Sequence, residues 1–543
     1  MLPSVVPKGN PPTWLPACVV GSIARVQRLL HKRPSPPAPA SRLQHPSLAQ
    51  LARPDAVLPA FVAESAVVRK YLALLGPLDW DHFPERPTDH PWPGSAPAPR
   101  APYVAAYLIK LNEGKRYMSD LRSYLLEHPA LVWLIGFPLV PDPRARYGFD
   151  VAASLPDRRQ LGRVLRELPN PAAQFLLGGT VQLIRQELPP DVDFGDIVSL
   201  DTKHIIAWVQ ENNPKAYIEH RYDKTRQPTG DPDCKLGCKK RHNKGEGNGP
   251  ADAAHDPASP PPAPAAAASP PAPHATPSTY PQPASQKASL GEFYWGYASG
   301  VVTTKVPEWG EIVLAELTQT FDKGDATYFF PLMVQVERRL GRRPRFGALD
   351  KAYDAFYVYQ YFHEAGGFAA VPRVAKGRHD VRTFSPEGLP ICAAGLAMPL
   401  KFTFTDRTTT IVVHERGKYV CPQHFPQLST DACPVNHERW AKNGCTAAMP
   451  TCAGARIRYQ LDRASPEYKA IYKQRTADER SNSQAVELGI ERPRLRRQSA
   501  IVNQNTLIYV LINLRALQRI RTHKTELARQ GSAPGETGAC PHN

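Results

Sequence analysis

The chain has 543 residues, a formal charge of +17, 59 prolines and nine cysteines. That length suits two or three domains, and the positive excess points to an anionic partner, above all nucleic acid. No apolar run approaches the ~18–20 residues that span a bilayer, since Leu131–Val140 is short and holds Pro138, so no membrane partner is expected.

The first residues lack the charged start, apolar run and cleavage site of a secretory leader, so a soluble cytoplasmic protein is expected. The odd, clustered set of cysteines suits thiols or metal ligands better than a disulfide framework.

Residues 1–60 are Pro-rich, as in Arg33-Pro-Ser-Pro-Pro-Ala-Pro39, and are expected to be weakly ordered. Residues 61–190 read as an all-α N-terminal domain with basic polar faces, expected to bind DNA ends. Its helices are expected over 61–76, 101–137, 158–168 and 171–187.

From Asp196 the texture turns to strands. The run Asp196-Ile-Val-Ser-Leu-Asp201 ends in a carboxylate. Glu292–Tyr297, Ser299–Thr304 and Glu311–Thr318 are β-branched and aromatic, and read as further strands. A helix over Asp325–Leu340, a strand Arg345–Asp350, a helix Asp354–Glu364 and a strand Phe368–Val371 complete a mixed α/β core over 191–244 and 289–374.

Two insertions interrupt this order. Residues 245–288 are Pro/Ala-rich and read as a flexible linker. Residues 375–460 carry the β-like runs Lys401–Thr405 and Thr409–His414 and most of the cysteines. Catalytic and basic helices are expected over 461–525, with a disordered tail at 526–543.

Asp201 and Asp350 are both expected at the C-terminal ends of short strands, where ligand-binding groups gather in open α/β sheets. The stretch from Ser465-Pro466 reads as one helix whose polar face carries Tyr472, Arg475 and Glu479, spaced three and four apart. Three carboxylates from separate elements suit two hard divalent cations, which activate an attacking oxygen and stabilise a leaving one in phosphoryl displacement.

With these residues the sequence resembles the bacterial insertion-sequence transposases of the DDE superfamily. Tyr472, Arg475 and Glu479 match the Tyr-x2-Arg-x3-Glu signature, and Asp350, Tyr353 and Asp354 match the motif of the second Asp. Asp201 matches the first-Asp strand, and the resemblance spans about residues 150–525 outside the linker. Val486 stands where the family has Lys.

The resemblance implies an RNase H-like mixed-sheet catalytic domain with a β-rich insertion, preceded by the all-α domain. It implies a DNA transposase using Mg²⁺ or Mn²⁺ to nick the ends of a mobile element and join the freed 3′-OH to target DNA. Asp201, Asp350 and Glu479 would hold the metal, and Tyr472 and Arg475 would contact phosphate. Lys203, Arg480, Asn482, Arg496 and Arg497 are also expected to face DNA. The partners implied are terminal inverted repeats, target DNA and a second copy of the chain, in a nucleoid-associated bacterial protein. The alternative is an inactivated relative, or a zinc-containing protein, that binds DNA without cleaving it.

Cys421, His424, Cys433 and His437 form two short Cys/His spacings, which makes them candidate ligands of a structural Zn²⁺. Cys445 and Cys452 follow. Cys234 and Cys238, near His242, lie in a basic loop read chiefly as DNA-facing.

Overall fold

The computed structural model describes residues 45–86, 97–240, 291–374, 382–407, 411–429 and 431–531. Of residues 1–60, expected to be weakly ordered, 1–44 lie outside these residues, as do the Pro/Ala linker 245–288 and His242, whereas 45–60 include a capped helix, Leu48–Leu51, with both leucines buried.

The N-terminal part is helical, with its longer helices at Ala66–Leu75, Ala101–Asn112, Met118–Glu127, Arg158–Glu167 and Asn170–Glu187. A two-residue ladder, β1 (Val140–Pro141) with β2 (Phe149–Asp150), interrupts them. Local chemistry sets several starts. Asp157 accepts from the Gln160 backbone N–H at 2.7 Å and caps the Arg158–Glu167 helix. Pro171 occupies the first turn of Asn170–Glu187, where its missing N–H is no loss.

These helices share their core with the rest of the chain. Tyr107, Leu161 and Leu176 pack in one cluster with Leu507, Tyr509 and Leu511 of the long C-terminal helix Gln498–Gly531 and with Ile205, Trp295 and Val301 of the sheet.

The C-terminal helix, expected to end by 525 before a disordered tail, runs on to Gly531, and it uses buried amides. Asn513 grips the Val313 backbone, its Oδ1 accepting from the N–H at 2.9 Å and its Nδ2 donating to the carbonyl at 2.8 Å. Asn503 donates to the Leu165 and Leu168 carbonyls, which end the Arg158–Glu167 helix.

The main sheet is mixed and six-stranded. Its centre is β3 (Ile197–Ile206). On one side β3 pairs antiparallel with β5 (Gly291–Val306), Ser199 opposite Thr303, and β5 pairs antiparallel with β6 (Gly310–Thr320). The strand β4 (Lys235–Lys240) occupies the same edge of β5 as β6, end to end with it. On the other side β7 (Phe346–Leu349) lies parallel to β3, and β8 (Phe368–Ala370) parallel to β7.

Along β6 burial is continuous from Glu311 to Glu316, because both faces are covered. Val313 joins the core shared with the N-terminal helices, while Ile312 and Leu314 join the core beneath the helix Phe329–Leu340.

Several expectations change. The two runs Glu292–Tyr297 and Ser299–Thr304 form one 16-residue strand. Asp201 sits within β3, not at its end, because pairing with β5 continues through Ile206. The chain from Ser465 is also broken, into a helix Pro466–Tyr472, a 3-10 turn Lys473–Arg475 and a helix Thr476–Glu487.

The insertion holds a three-stranded antiparallel ribbon. β10 (His414–Val420) lies between β9 (Leu400–Asp406) and β11 (Thr446–Pro450). The expected strand Thr409–His414 is therefore displaced, with His414 beginning β10 instead of ending a strand. The helix Ala453–Gln460 returns the chain to the helix Phe356–Glu364. There the buried pair Arg458–Asp354, 2.6 Å apart, clamps the exit of the insertion to the main sheet's flank. Asp354 is fully used, accepting also from the Tyr359 hydroxyl and the Val374 N–H.

Among the described residues, no helix is long and apolar enough to cross a membrane.

Candidate active site

Parallel pairing of β3 with β7 sets Leu200 beside Leu349, and each is followed by an aspartate. Asp201 continues along β3. Asp350 caps the 3-10 turn Lys351–Tyr353, accepting from the Lys351 N–H at 2.6 Å. The turn Lys473–Arg475 packs against both strands, which brings Arg475 to the two carboxylates.

Arg475 is the cation common to all three expected acidic residues. It pairs directly with Glu479 one helical turn on. Burial works against its charge, but Glu479, then Tyr472, Asp201 and Asp350, outweigh that and hold its pKa above the ordinary arginine value. Glu479 itself lies on the half-exposed flank of its helix.

Asp201 has its pKa raised, chiefly by burial. The Thr202 N–H and Arg475 oppose the rise, while Asp350 and Asp325 add to it. A carboxylate desolvated beside other carboxylates favours its neutral form until a cation arrives.

Asp325 is a fourth carboxylate that the sequence reading passed over as a helix start. It heads the 3-10 turn after β6, and the Thr202 hydroxyl donates to it at 2.9 Å. The turn carrying Asp325 packs against the turn that follows Asp350.

The inner face of the helix Thr476–Glu487 supplies two more groups. Asn482 Nδ2 donates to Asp201 Oδ2 at 3.2 Å, and Asn482 Oδ1 is buried without a hydrogen-bond partner among the described residues. Asn482 was expected on an open DNA surface; packing of its helix against β3 and β5 buries it in the carboxylate site instead. Asp478 is fully buried and accepts from Thr303 Oγ1 at 2.5 Å. Burial first, then the Asp201 charge, pushes its pKa well above the carboxylate range. The signal for this face was present as small residues at helical spacing: Ala477 and Asp478, then Ser481 and Asn482, then Ala485.

The other expected DNA-facing residues are dispersed. Tyr472 stacks on Tyr468 with ring centroids 5.9 Å apart. Arg480 is ion-paired with Glu311. Lys203 is half-buried on β3, next to Ser299 across the ladder. Arg496 is exposed and lies 4.9 Å from the Trp208 ring centroid, with Arg494 on the same ring at 5.5 Å. Arg497 adopts a left-handed φ of 79°, and its N–H donates to Asp231.

The candidate zinc ligands divide. Cys421 and His424 share one tight turn, the His424 N–H donating to the Cys421 carbonyl at 3.1 Å. Cys433 and His437 belong to separate turns further along the loop, and His437 Nδ1 accepts from the Arg439 N–H at 3.1 Å. Among the described residues, no three His, Cys, Asp or Glu side chains already surround a common point at metal-ligand distance.

Neither a protein-family model nor a curated protein nor a solved structure matches the chain.

Proposed function

We propose that the chain is a DDE transposase, an RNase H-like enzyme that nicks the ends of a mobile DNA element and joins the freed 3′-OH to target DNA. One observation carries this reading: the turn Lys473–Arg475 packs against β3 and β7, the strands that bear Asp201 and lead to Asp350, and its Arg475 pairs with Glu479. The order of three antiparallel strands, helix, strand, helix, strand supports it. So does the placing of the β-rich insertion between Asp350 and Glu479.

The donors fit a hard divalent cation: carboxylate oxygens, one of them on the desolvated Asp201, beside the unpartnered amide oxygen of Asn482. Asp201, Asp350 and Glu479 would hold Mg²⁺ or Mn²⁺. Two such cations, when bound, activate the attacking oxygen and stabilise the leaving oxygen of an in-line displacement.

The chain's own groups prepare the site. Asn482 fixes the orientation of the Asp201 carboxylate, and Thr202 holds Asp325 beside it. Arg475 neutralises the acidic cluster before DNA arrives. Once Glu479 is engaged elsewhere, its planar fork is free to grip a phosphate in a bidentate way. The exposed Arg492 and Arg496 would track the DNA backbone, which gives affinity that falls with salt. A second copy of the chain, bound to the other end of the element, completes the proposed complex.

A second reading, a relative that holds DNA without cutting it, is favoured by Val486. This apolar side chain is 37% exposed at the position where the family has Lys. A nicking assay on DNA carrying the terminal repeats that flank the coding region separates the two. The transposase reading expects Mg²⁺-dependent nicking that Asp350→Ala and Glu479→Ala each abolish. If the parent chain shifts this DNA in a gel but cuts none of it, the binding-only reading stands.

A further inference from the structure

The ribbon in the insertion brings together cysteines that lie far apart in sequence. In the β10–β11 ladder Val420 pairs with Thr446. The next residues outward are Cys421 and Cys445, which therefore leave the ladder side by side. Cys392 and Cys445 pack against the same small apolar cluster, and burial, then the neighbouring Cys421 and Cys392 thiols, push the Cys445 thiol up.

Cys392 comes from the turn before β9. There the Gly395 N–H donates to the Cys392 carbonyl at 3.0 Å, and Gly395 adopts φ 78°. Cys421 opens a similar turn that brings His424 back over it. Gly444 confirms how tightly these groups meet. A Cβ there would stand 2.9 Å from Cys421 Sγ and 3.0 Å from His424 Cδ2.

His424 is held edge-on to Trp440, with ring centroids 4.4 Å apart, and its Nε2 is buried without a hydrogen-bond partner among the described residues. Such an orphaned ring nitrogen near the Cys421 thiol is a donor awaiting a partner.

We propose that Cys392, Cys421, His424 and Cys445 bind one zinc ion that fastens the loops of the insertion to its ribbon. Three thiolates and one imidazole are a closed, four-coordinate set, as structural zinc requires. Rotation of these side chains about their turns closes the set, with release of the thiol protons. Cys433 and His437 are left outside it.

The need for such a staple is visible in the packing. Among the described residues, the insertion's cluster has four buried apolar residues, Met398, Tyr419, Met449 and Ala455. A core that small does not hold a long loop in place without a further link.

The test is metal analysis of the purified full-length chain, with Cys392→Ser, Cys445→Ser, Cys433→Ser and His437→Asn variants. One zinc per chain is expected in the parent, in Cys433→Ser and in His437→Asn, with loss in Cys392→Ser and Cys445→Ser. Cobalt substitution of the unaltered chain guards against misfolded variants, and should give an intense tetrahedral spectrum with thiolate charge-transfer bands. A parent that takes up neither zinc nor cobalt overturns the proposal. So does loss of zinc from Cys433→Ser or His437→Asn as complete as from Cys392→Ser.

Discussion

In the main sheet, the half-buried stretch Asp201–His204 of β3 lies between positions sealed by packing. Leu200 and Ile205 are fully buried, and the neighbouring strand adds Val301 and Val302. In the inserted ribbon, the edge strand β9 instead exposes Leu400, Phe402 and Phe404. One region positions polar groups with a deep apolar core, the other with short turns and sulfur. Where the core is deep, a side chain such as Asn482 can be fixed by what surrounds it. Where it is shallow, position must come from specific links at few points.

The largest way to break this contrast is to cut the link between the two regions. Arg458→Ala leaves Asp354 buried without its charge partner, and should cost ~3–5 kcal/mol of unfolding free energy. Denaturant titration of the variant measures it. Asp354 would then be a structural clamp beside the site, although it belongs to the same short motif as Asp350.

A smaller effect comes from the buried polar cluster that ties β6 to the C-terminal helix. Glu316 is fully buried and accepts from Ser299, Thr318 and Thr506. Burial raises its pKa despite those hydrogen bonds and the nearby Arg339. The folded state thus binds its proton more tightly than the unfolded chain does. Its contribution to stability therefore falls as pH rises from about 4.3, the ordinary glutamate value, to the raised value. The slope there is at most ~1.4 kcal/mol per pH unit. Glu316→Gln should flatten that part of the stability profile, and a parent and variant with parallel profiles would contradict the assignment.

Sequence pattern alone conveyed the element order well where periodicity was strong. The helices Arg158–Glu167 and Asn170–Glu187 and the strands β6 and β7 lie within a few residues of the runs that signal them. It failed where tertiary pairing decided the outcome. Nothing local says that β3 continues past Asp201, because Lys203 and His204 are poor strand signals held in place by β5. Nor does local spacing reveal that Cys445 leaves the ribbon beside Cys421, or that Cys392 packs with Cys445 against one small cluster.

The carboxylates Asp201, Asp350 and Glu479 were legible as residue types on separate elements. Their environment was not. Asp325 looked like a helix start and Asn482 like a surface amide, since burial on a helix face depends on what packs against it. The breaking of the Tyr472–Glu479 stretch by a 3-10 turn also has no clear local signal, yet that turn is what brings Arg475 to Asp201 and Asp350.

The central claim is that the carboxylate set built around Asp201 performs metal-dependent DNA cutting. Its most direct test is the cutting rate of Asp201→Asn on DNA bearing the flanking terminal repeats, measured in Mg²⁺ beside a gel-shift assay on the same DNA. The account predicts binding like the parent's and cutting reduced at least ~100-fold, the scale of losing a central electrostatic group from an active site. An Asp201→Asn protein that binds and cuts at the parent's rate would contradict it.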